Sequence, residues 1–278
     1  MKIIIIGANG MLGQELAQVY AESKPLLWDI KELDITNREQ VMNKISKQKA
    51  DIVFNAAAFN DVDGAEEKED IAMSVNGIGP GNLAEAVQSY GGILVQYSTD
   101  YVFKGDKKEG YIEVDQPDPQ SVYAKSKHMG EIQVAKHCDK YYIIRLSKLF
   151  GRPAIAENSK KSFVDMMIGL AKDKDELNVV DEELSAPAYA PDLANRSKEI
   201  VDTKQPYGIY HACNSGVCTW YDLVKETFTI KDIDVKVNSV PGSFYPRPAA
   251  RPMYSILLNT KMPEIRSWQE ALKEYLTN

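Results

Sequence analysis

A tyrosine and a lysine four residues apart are the side chains whose types and spacing most directly suggest chemistry. The pattern occurs three times, at Tyr20/Lys24, Tyr123/Lys127 and Tyr221/Lys225. On a helix, residues i and i+4 share one face, so the ammonium would lie beside the phenol. A free phenol has a pKa of about 10, and a neighbouring cation favours the phenolate and lowers that pKa. Such a pair predicts proton transfer to or from a substrate oxygen.

The segment before Tyr123 distinguishes the middle pair from the other two. Its helix is the one that follows a predicted strand ending in Ser98-Thr99-Asp100. Open α/β sheets bind ligands at the carboxyl ends of their strands, where the hydroxyl of Thr99 would hold a substrate oxygen. We therefore predict that Thr99, Tyr123 and Lys127 are catalytic residues that act on a carbonyl group.

A glycine-rich loop lies directly after the first predicted strand. Its spacing, Gly-x-x-Gly-x-x-Gly, begins at Gly7, and the loop opens a helix. Glycines let the backbone approach a pyrophosphate, and the first turn of the helix offers it free N–H groups. The loop therefore predicts a dinucleotide cofactor in contact with Gly7, Asn9, Gly10, Met11, Leu12 and Gly13.

Further cofactor contacts are predicted after the second and third strands. Asp29 ends the second strand, where a carboxylate can accept both hydroxyls of the adenosine ribose and favours NAD over NADP. Asp34 and Ile35 are predicted to flank the adenine, and the small side chains of Ala56, Ala57 and Ala58 to let the cofactor pass close to the chain. Tyr123 and Lys127 complete the predicted cofactor site. The predicted cofactor is NADH or NADPH, with a preference for NADH.

Short apolar runs alternate with helical patterns through the first half of the chain. Strands are predicted at 2–6, 26–28, 51–54, 92–97 and 141–146, and helices at 11–20, 71–89 and 121–137. Apolar strands that alternate with helices are typical of a parallel sheet covered on both faces. The prediction is an α/β fold with a doubly wound Rossmann-type domain and a smaller, discontinuous substrate-binding lobe. The domain would span 1–151 plus about 187–235, and the lobe about 152–186 plus 236–278.

The composition narrows the classes of partner and compartment. A net charge of −7 argues against nucleic acid or an anionic membrane as partner, because both favour a basic surface. No apolar run approaches the ~18–20 residues of a membrane span, and the N-terminus lacks the features of a signal peptide. The three cysteines lack zinc-like spacing. We therefore predict no His/Cys metal site and a reducing, cytoplasmic location.

Several segments together point to one family. The most specific is Ser98-Thr99-Asp100-Tyr101-Val102-Phe103. Other matching segments run almost from end to end of the chain: Gly7–Gly13, Leu33–Thr36, Asn55–Ala58, Val62-Asp63, Asn82–Ala84, Tyr123–Lys127, Ile144-Arg145, Gly208–His211, Thr219-Trp220 and Arg251-Pro252. With these segments the chain resembles the dTDP-4-dehydrorhamnose reductase family of extended short-chain dehydrogenases/reductases.

The resemblance implies reduction of the C4 ketone of a nucleotide-linked 6-deoxy-4-keto-hexose, with dTDP-4-dehydro-L-rhamnose as the expected substrate. Tyr123 would deliver the proton, Lys127 would bind the nicotinamide ribose, and Thr99 would hydrogen-bond the keto oxygen. The resemblance also implies that Asp100 lies beside the sugar. It implies that Arg251 holds the diphosphate, where a forked, permanent cation suits phosphate.

Two positions depart from the family pattern on the expected substrate side. Lys148 stands where the family has tryptophan, and Ala188 where it has threonine. Lys148 is therefore a candidate contact to a substrate hydroxyl, carboxylate or phosphate, or else a lysine that faces solvent. Open alternatives are a reductase or epimerase of another nucleotide sugar, and a non-catalytic regulatory subunit resembling that of methionine adenosyltransferase. The sequence also leaves open a homodimer, and Mg²⁺ at a subunit contact near Glu182 and Glu183.

Overall fold

The computed structural model describes residues 1–155 and 161–277. The strands in these residues are β1 (Ile3–Ile6), β2 (Leu26–Trp28), β3 (Ile52–Asn55), β4 (Ile93–Thr99), β5 (Tyr141–Leu146), β6 (Leu149–Phe150), β7 (Glu176–Val180), β8 (Ala188–Tyr189), β9 (Gly208–His211), β10 (Asn214–Ser215), β11 (Lys236–Val240) and β12 (Ile265–Ser267). The α-helices are α1 (Met11–Val19), α2 (Arg38–Gln48), α3 (Val62–Glu67), α4 (Glu69–Met73), α5 (Gly79–Gln88), α6 (Val122–His137), α7 (Phe163–Leu170), α8 (Ala190–Asp202), α9 (Trp220–Lys231) and α10 (Trp268–Thr277).

A six-stranded parallel sheet forms the centre of the molecule. Its strand order is β2-β1-β3-β4-β5-β9. The chain moves outward from β1 in one direction to β2 and in the other direction through β3, so the strand order reverses beside β1. Because parallel strands end at the same edge, the loops after β1, β3 and β4 meet there, where such sheets bind ligands.

The four isoleucines of β1 show how the sheet is covered. Ile3 and Ile5 pack into a core with side chains of α1 and α8. Ile4 and Ile6 pack into a second core with side chains of α2, α5 and α6. Successive side chains of a strand point to opposite faces, and all four are at most 1 % exposed. Helices therefore cover both faces, and the predicted doubly wound α/β fold is confirmed.

The predicted helix at 71–89 is three consecutive helical pieces. A π-helical turn at Ser74–Ile78 separates α4 from α5. The turn carries buried Asn76, whose Nδ2 donates to the carbonyl oxygen of Phe59 and to Oγ of Ser126, both at 3.0 Å. Oδ1 of Asn76 accepts from the N–H of Phe59 at 2.9 Å. One amide thus ties the loop after β3 to helix α6.

A smaller group of elements lies beyond the sheet. Strands β7 and β11 pair in parallel, and Leu177 and Val179 of β7 share a core with Met167 of α7 and Val224 and Phe228 of α9. At the start of α9, Thr219 and Asp222 form a capping box. The predicted domain boundaries stay a prediction. Among the described residues, no helix is long and apolar enough to cross a membrane.

Candidate active site

Helix α6 positions the tyrosine–lysine pair. Ser121 caps the helix by accepting a hydrogen bond from the N–H of Ala124 at 3.2 Å, which fixes its start. Tyr123 therefore lies in the first turn and Lys127 one turn later on the same face. Both side chains are buried, at 9 % and 6 % exposure, and both line the same cleft.

The protonation of Tyr123 differs from the sequence-based expectation. Burial raises its pKa to about 12, although hydrogen bonding with Thr99 acts in the opposite direction. The ammonium of Lys127 donates to the carbonyl oxygen of Tyr97 in β4 at 2.8 Å, and burial lowers its pKa to about 8. The predicted lowering of the Tyr123 pKa is therefore wrong for the protein alone. The phenol keeps its proton at neutral pH, which is the state that a proton donor requires.

Thr99 and Asp100 form the end of β4 and the turn that follows it. Oγ1 of Thr99 accepts from the N–H of Tyr101 at 3.2 Å and donates to Oδ1 of Asp100 at 3.0 Å. Oγ of Ser255 donates to Oδ2 of Asp100 at 2.5 Å. Asp100 is 3 % exposed, and burial raises the pKa of its carboxyl. Thr99 and Asp100 both line the cleft, so a hydroxyl and a carboxyl group face it at this strand end.

The glycine loop has the shape that a pyrophosphate requires. Gly7 has a left-handed φ of 75°, and a Cβ there would lie 2.7 Å from the backbone N of Ala57. A Cβ at Gly13 would lie 2.1 Å from the carbonyl oxygen of Gly7, so the loop and α1 pack backbone against backbone. The first turn of α1 then opens its N–H groups toward the cleft, and the residues present fit a dinucleotide.

Asp29 lies directly after β2 at the same edge of the sheet. Its Oδ2 accepts from the N–H of Asn9 at 3.2 Å, and its Oδ1 accepts from the N–H of Ile30 at 2.8 Å. These bonds orient a half-exposed carboxylate beside the glycine loop. Asn9 thus contributes to the predicted cofactor site through its backbone, by holding Asp29.

One cleft of about 820 Å³ brings most of the predicted site residues together. The predicted residues that line it are Gly7, Gly10, Met11, Leu12, Asp29, Asp34, Ile35, Ala56, Ala57, Ala58, Thr99, Asp100, Tyr123, Lys127 and Lys148. Gly13 lies behind the loop. Arg251 lies instead at a neighbouring cavity of about 310 Å³, where its Nη2 pairs with Oδ2 of Asp63 at 2.7 Å. Ala188 in β8 is 1 % exposed and pairs with Leu149 of β6, which lines the cleft, whereas Ala188 itself does not.

Lys148 joins two loops at the far end of the cleft. Its Nζ donates to the carbonyl oxygens of Glu183 at 2.8 Å and Cys218 at 2.7 Å. The same atom lies 4.7 Å from the centre of the Trp220 ring, within the range of a cation–π contact. Burial lowers the pKa of Lys148. The backbone of Lys148 has a φ of 40°, a left-handed conformation that is uncommon for residues other than glycine.

Several cleft residues were not predicted from the sequence as site residues. Trp220 lines the cleft and donates from Nε1 to Oε2 of Glu183 at 3.0 Å, and Arg247 pairs with Oε1 of the same carboxylate. Ser255 reaches Asp100 from the C-terminal part of the chain. Trp220 belongs to a segment shared with the family, which could have suggested it. For Ser255, no local pattern indicates its partner.

The acidic residues considered for Mg²⁺ are engaged with donors of the protein. Glu183 pairs with Trp220 and Arg247, and Oε2 of Glu182 accepts from the N–H of Gly242 at 2.8 Å. Within residues 1–155 and 161–277, no group of three or more His, Cys, Asp or Glu side chains is placed to hold a metal ion.

The parallel sheet, the glycine loop and the Tyr-Lys helix define a Rossmann-type protein of the short-chain dehydrogenase/reductase class. A family model described as the RmlD substrate binding domain matches residues 1–278. A dTDP-4-dehydrorhamnose reductase of Streptomyces griseus is 35 % identical over 284 residues, which cover 98 % of this chain and 91 % of that protein. The chain belongs to the dTDP-4-dehydrorhamnose reductase family and is an oxidoreductase.

Solved structures agree with this assignment. A dTDP-4-dehydrorhamnose reductase of Clostridium acetobutylicum has a TM-score of 0.93 at 42 % identity, covering 99 % of this chain and 98 % of that chain. The dTDP-4-dehydrorhamnose reductase of Bacillus anthracis, solved in complex with NADP, also has a TM-score of 0.93, at 37 % identity and with the same coverage of both chains. The likeness extends over the sheet and the smaller lobe.

Proposed function

We propose that the protein reduces the C4 ketone of a nucleotide-linked 6-deoxy-4-keto-hexose, with dTDP-4-dehydro-L-rhamnose as substrate and dTDP-L-rhamnose as product. The observation that carries the proposal is the cleft itself. It is lined by Asp29 after β2, by the glycine loop after β1, by Thr99 at the end of β4, by Tyr123 and Lys127 of α6, and by Lys148 after β5, in a sheet of order β2-β1-β3-β4-β5-β9. Its two ends thus suit a dinucleotide and a second ligand, with the tyrosine between them. The names of the relatives support the class of substrate.

The proton chemistry follows from the states of the cleft residues. A bound NADH or NADPH supplies the hydride to the ketone carbon. Tyr123, which is protonated at neutral pH, donates its proton to the ketone oxygen, and Thr99 orients that oxygen by a hydrogen bond. Lys127 is held by the carbonyl oxygen of Tyr97 on the cofactor side, where its ammonium can bind the nicotinamide ribose.

Asp29 supports the preference for NADH. Its carboxylate is fixed beside the glycine loop, where it can accept both ribose hydroxyls. The 2′-phosphate of NADPH would bring a second anion against it, which weakens binding at close range. We expect Asp29→Ala to lower kcat/KM for NADH more than for NADPH. An equal loss with both cofactors would contradict this role.

The test measures the oxidation of NADH or NADPH by absorbance. The substrate, dTDP-4-dehydro-L-rhamnose, is made in situ by the upstream 3,5-epimerase. The expected result is turnover of the cofactor and formation of dTDP-L-rhamnose. Purified, folded protein that binds NADH and yet gives no turnover would overturn the proposal. UDP- and GDP-linked 4-keto sugars are the comparison substrates, because Lys148 stands at the substrate end of the cleft.

A further inference from the structure

A buried carboxylate links the two cavities of the molecule. Glu183 is 8 % exposed and lines both the cleft and the neighbouring cavity of about 310 Å³. Its Oε2 accepts from Nε1 of Trp220 at 3.0 Å, and its Oε1 pairs with Nη2 of Arg247. Trp220 lines the cleft, whereas Arg247 lines the neighbouring cavity and not the cleft. One carboxylate therefore connects an arginine outside the cleft to an indole on its wall.

Trp220 lies at the substrate end of the cleft, where several contacts fix its indole. The ring centre is 4.7 Å from Nζ of Lys148 and 4.4 Å from the ring centre of Phe163, and all three residues line the cleft. Lys148 follows β5, which lies on the opposite side of β1 from β2 and Asp29. An indole has one N–H donor, and the carboxylate of Glu183 accepts it. The bond to Glu183 therefore sets the direction in which the indole edge points.

Arg247 supplies the charge that the carboxylate of Glu183 needs in this buried position. A buried carboxylate is costly unless a cation and hydrogen bonds compensate it. Lys148 is also close, but its Nζ donates to the main-chain carbonyl oxygen of Glu183, at 2.8 Å. The guanidinium of Arg247, by contrast, contacts the carboxylate itself. Without Arg247 we expect the carboxylate to turn away, so that the indole of Trp220 loses its fixed acceptor.

We propose that Arg247 is a positioning residue that fixes the substrate end of the cleft through Glu183 and Trp220. The proposal rests on the reductase function given above. The sugar of the substrate packs against a wall whose indole is held from outside the cleft, so Arg247 acts on the affinity for the nucleotide sugar. The glycine loop and Asp29 form the cofactor end, and cofactor affinity does not depend on Arg247. The competing role is a direct contact between Arg247 and the substrate in the neighbouring cavity.

Arg247→Met tests the proposal, because it removes the charge and the donors and keeps a long side chain. We expect KM for the nucleotide sugar to rise about tenfold, within the range of coupling in one hydrogen-bonded network. The kcat and the dissociation constant for NADH should stay within about twofold, as when binding of the substrate alone is weakened. Arg247→Lys, which keeps the charge, should recover most of the loss.

A double-mutant cycle with Trp220→Phe separates positioning from direct contact. The phenylalanine ring keeps an aromatic wall but cannot donate to Glu183. If Arg247 acts through Trp220, adding Arg247→Met to Trp220→Phe should raise KM by less than about twofold further. A direct contact with the substrate would instead raise KM about tenfold in both backgrounds, because independent effects add. That result, or an unchanged KM in Arg247→Met alone, overturns the proposal.

The indole N–H of Trp220 gives a second readout, which does not depend on activity. In the ¹H–¹⁵N spectrum of the protein, Trp220→Phe removes and thereby assigns one of the three indole signals of the chain. Arg247→Met should shift that signal, and Arg247→Lys should return it toward its wild-type position. A signal that does not move in Arg247→Met overturns the proposal.

A further variant and the wild type keep the outcomes distinct. If Arg247→Met does not fold, Arg247→Gln, which keeps a donor and loses the charge, replaces it in the cycle and in the spectrum. Absence of turnover in the wild type, with an indole signal that moves as expected, would contradict the proposed function and not the positioning of Trp220 by Arg247.

Discussion

At the scale of single residues, Tyr123 is the side chain on which the proposed chemistry depends. Tyr123→Phe removes the phenolic hydroxyl and leaves the aromatic ring that packs against Tyr101. We expect kcat to fall by about 10²–10⁴-fold, as for loss of a general acid, because the ketone oxygen loses its proton donor. Binding of NADH, measured by fluorescence titration, should be nearly unchanged. A large loss of NADH affinity would show that the tyrosine has another role.

Lys148 offers a test of a buried cation that holds backbone oxygens. Lys148→Met leaves the carbonyl oxygens of Glu183 and Cys218 without this donor. We expect a loss of about 1–3 kcal/mol in the free energy of unfolding, measured by urea denaturation, because the carbonyl oxygen of Glu183 loses this donor. The carbonyl oxygen of Cys218 keeps the N–H of Ser185 at 3.2 Å. The control Lys225→Met changes an exposed lysine of α9 and should stay within about 0.5 kcal/mol. Equal effects of the two substitutions would contradict the structural role of Lys148.

Residue types and spacing predicted the position of Tyr123 but not its pKa. The i, i+4 spacing places the lysine beside the tyrosine, yet burial raises the pKa of Tyr123 more than hydrogen bonding with Thr99 lowers it. Both depend on contacts between α6 and β4, which lie far apart in sequence. The same limit applies to Ser255, which reaches Asp100 across 155 positions of the chain.

At the scale of elements, the packing of α1 on the glycine loop can be tested at Gly13. In Gly13→Ala the new Cβ would lie 2.1 Å from the carbonyl oxygen of Gly7, so backbone must move. We expect a loss of about 1–3 kcal/mol in stability, as for overpacking, and weaker binding of NADH because the loop shifts. Gly169→Ala in α7 is the control, since a Cβ there meets nothing within 4 Å. It should raise stability by up to about 1 kcal/mol.

The contrary result for Gly13→Ala is unchanged stability with unchanged NADH affinity, measured by thermal unfolding and titration. Such a result would mean that the loop can accommodate a Cβ at this position, contrary to its backbone contacts with Gly7.

Periodicity predicted the long elements well and the irregular ones poorly. Five strands and the helix of Tyr123 lie within one or two residues of their predicted bounds, because uniform apolar runs and a serine cap are local signals. The π-helical turn at Ser74–Ile78 gives no such signal, because helical propensity does not register one extra residue. Its conformation is held by the bonds of Asn76 to Phe59 and Ser126, which only the folded chain brings together.

At the scale of the whole molecule, a buried ion pair joins helix α6 to the sheet. Nε and Nη2 of Arg145 in β5 donate to the two carboxylate oxygens of Glu131 in α6, at 2.8 and 2.7 Å. Burial alone would raise the pKa of Glu131, but the hydrogen bonds from Arg145 outweigh it and hold that pKa at about 2. Nearby, burial lowers the pKa of His211 to about 4.

These two groups make the stability of the fold fall with acid. Both have folded pKa values below their unfolded values, so the unfolded chain binds more protons and stability is lost as pH falls. The contribution of His211 should be lost between about pH 6.5 and 4, and that of Glu131 between about pH 4.5 and 2. For Glu131 this amounts to about 3 kcal/mol. Urea denaturation from pH 8 down to pH 3 should show a plateau at neutral pH and a steady decline below about pH 6.5.

Glu131→Gln separates the two contributions. It leaves Arg145 buried without its carboxylate partner, so we expect a loss of about 3–5 kcal/mol at neutral pH. Below about pH 4.5 the stability of the variant should fall less steeply than that of the wild type, because the titrating carboxyl is gone, while the decline assigned to His211 remains. Parallel curves for the two proteins below pH 4.5 would show that Glu131 does not carry the acid sensitivity. The pair would then join α6 to the sheet without contributing to the pH dependence of stability.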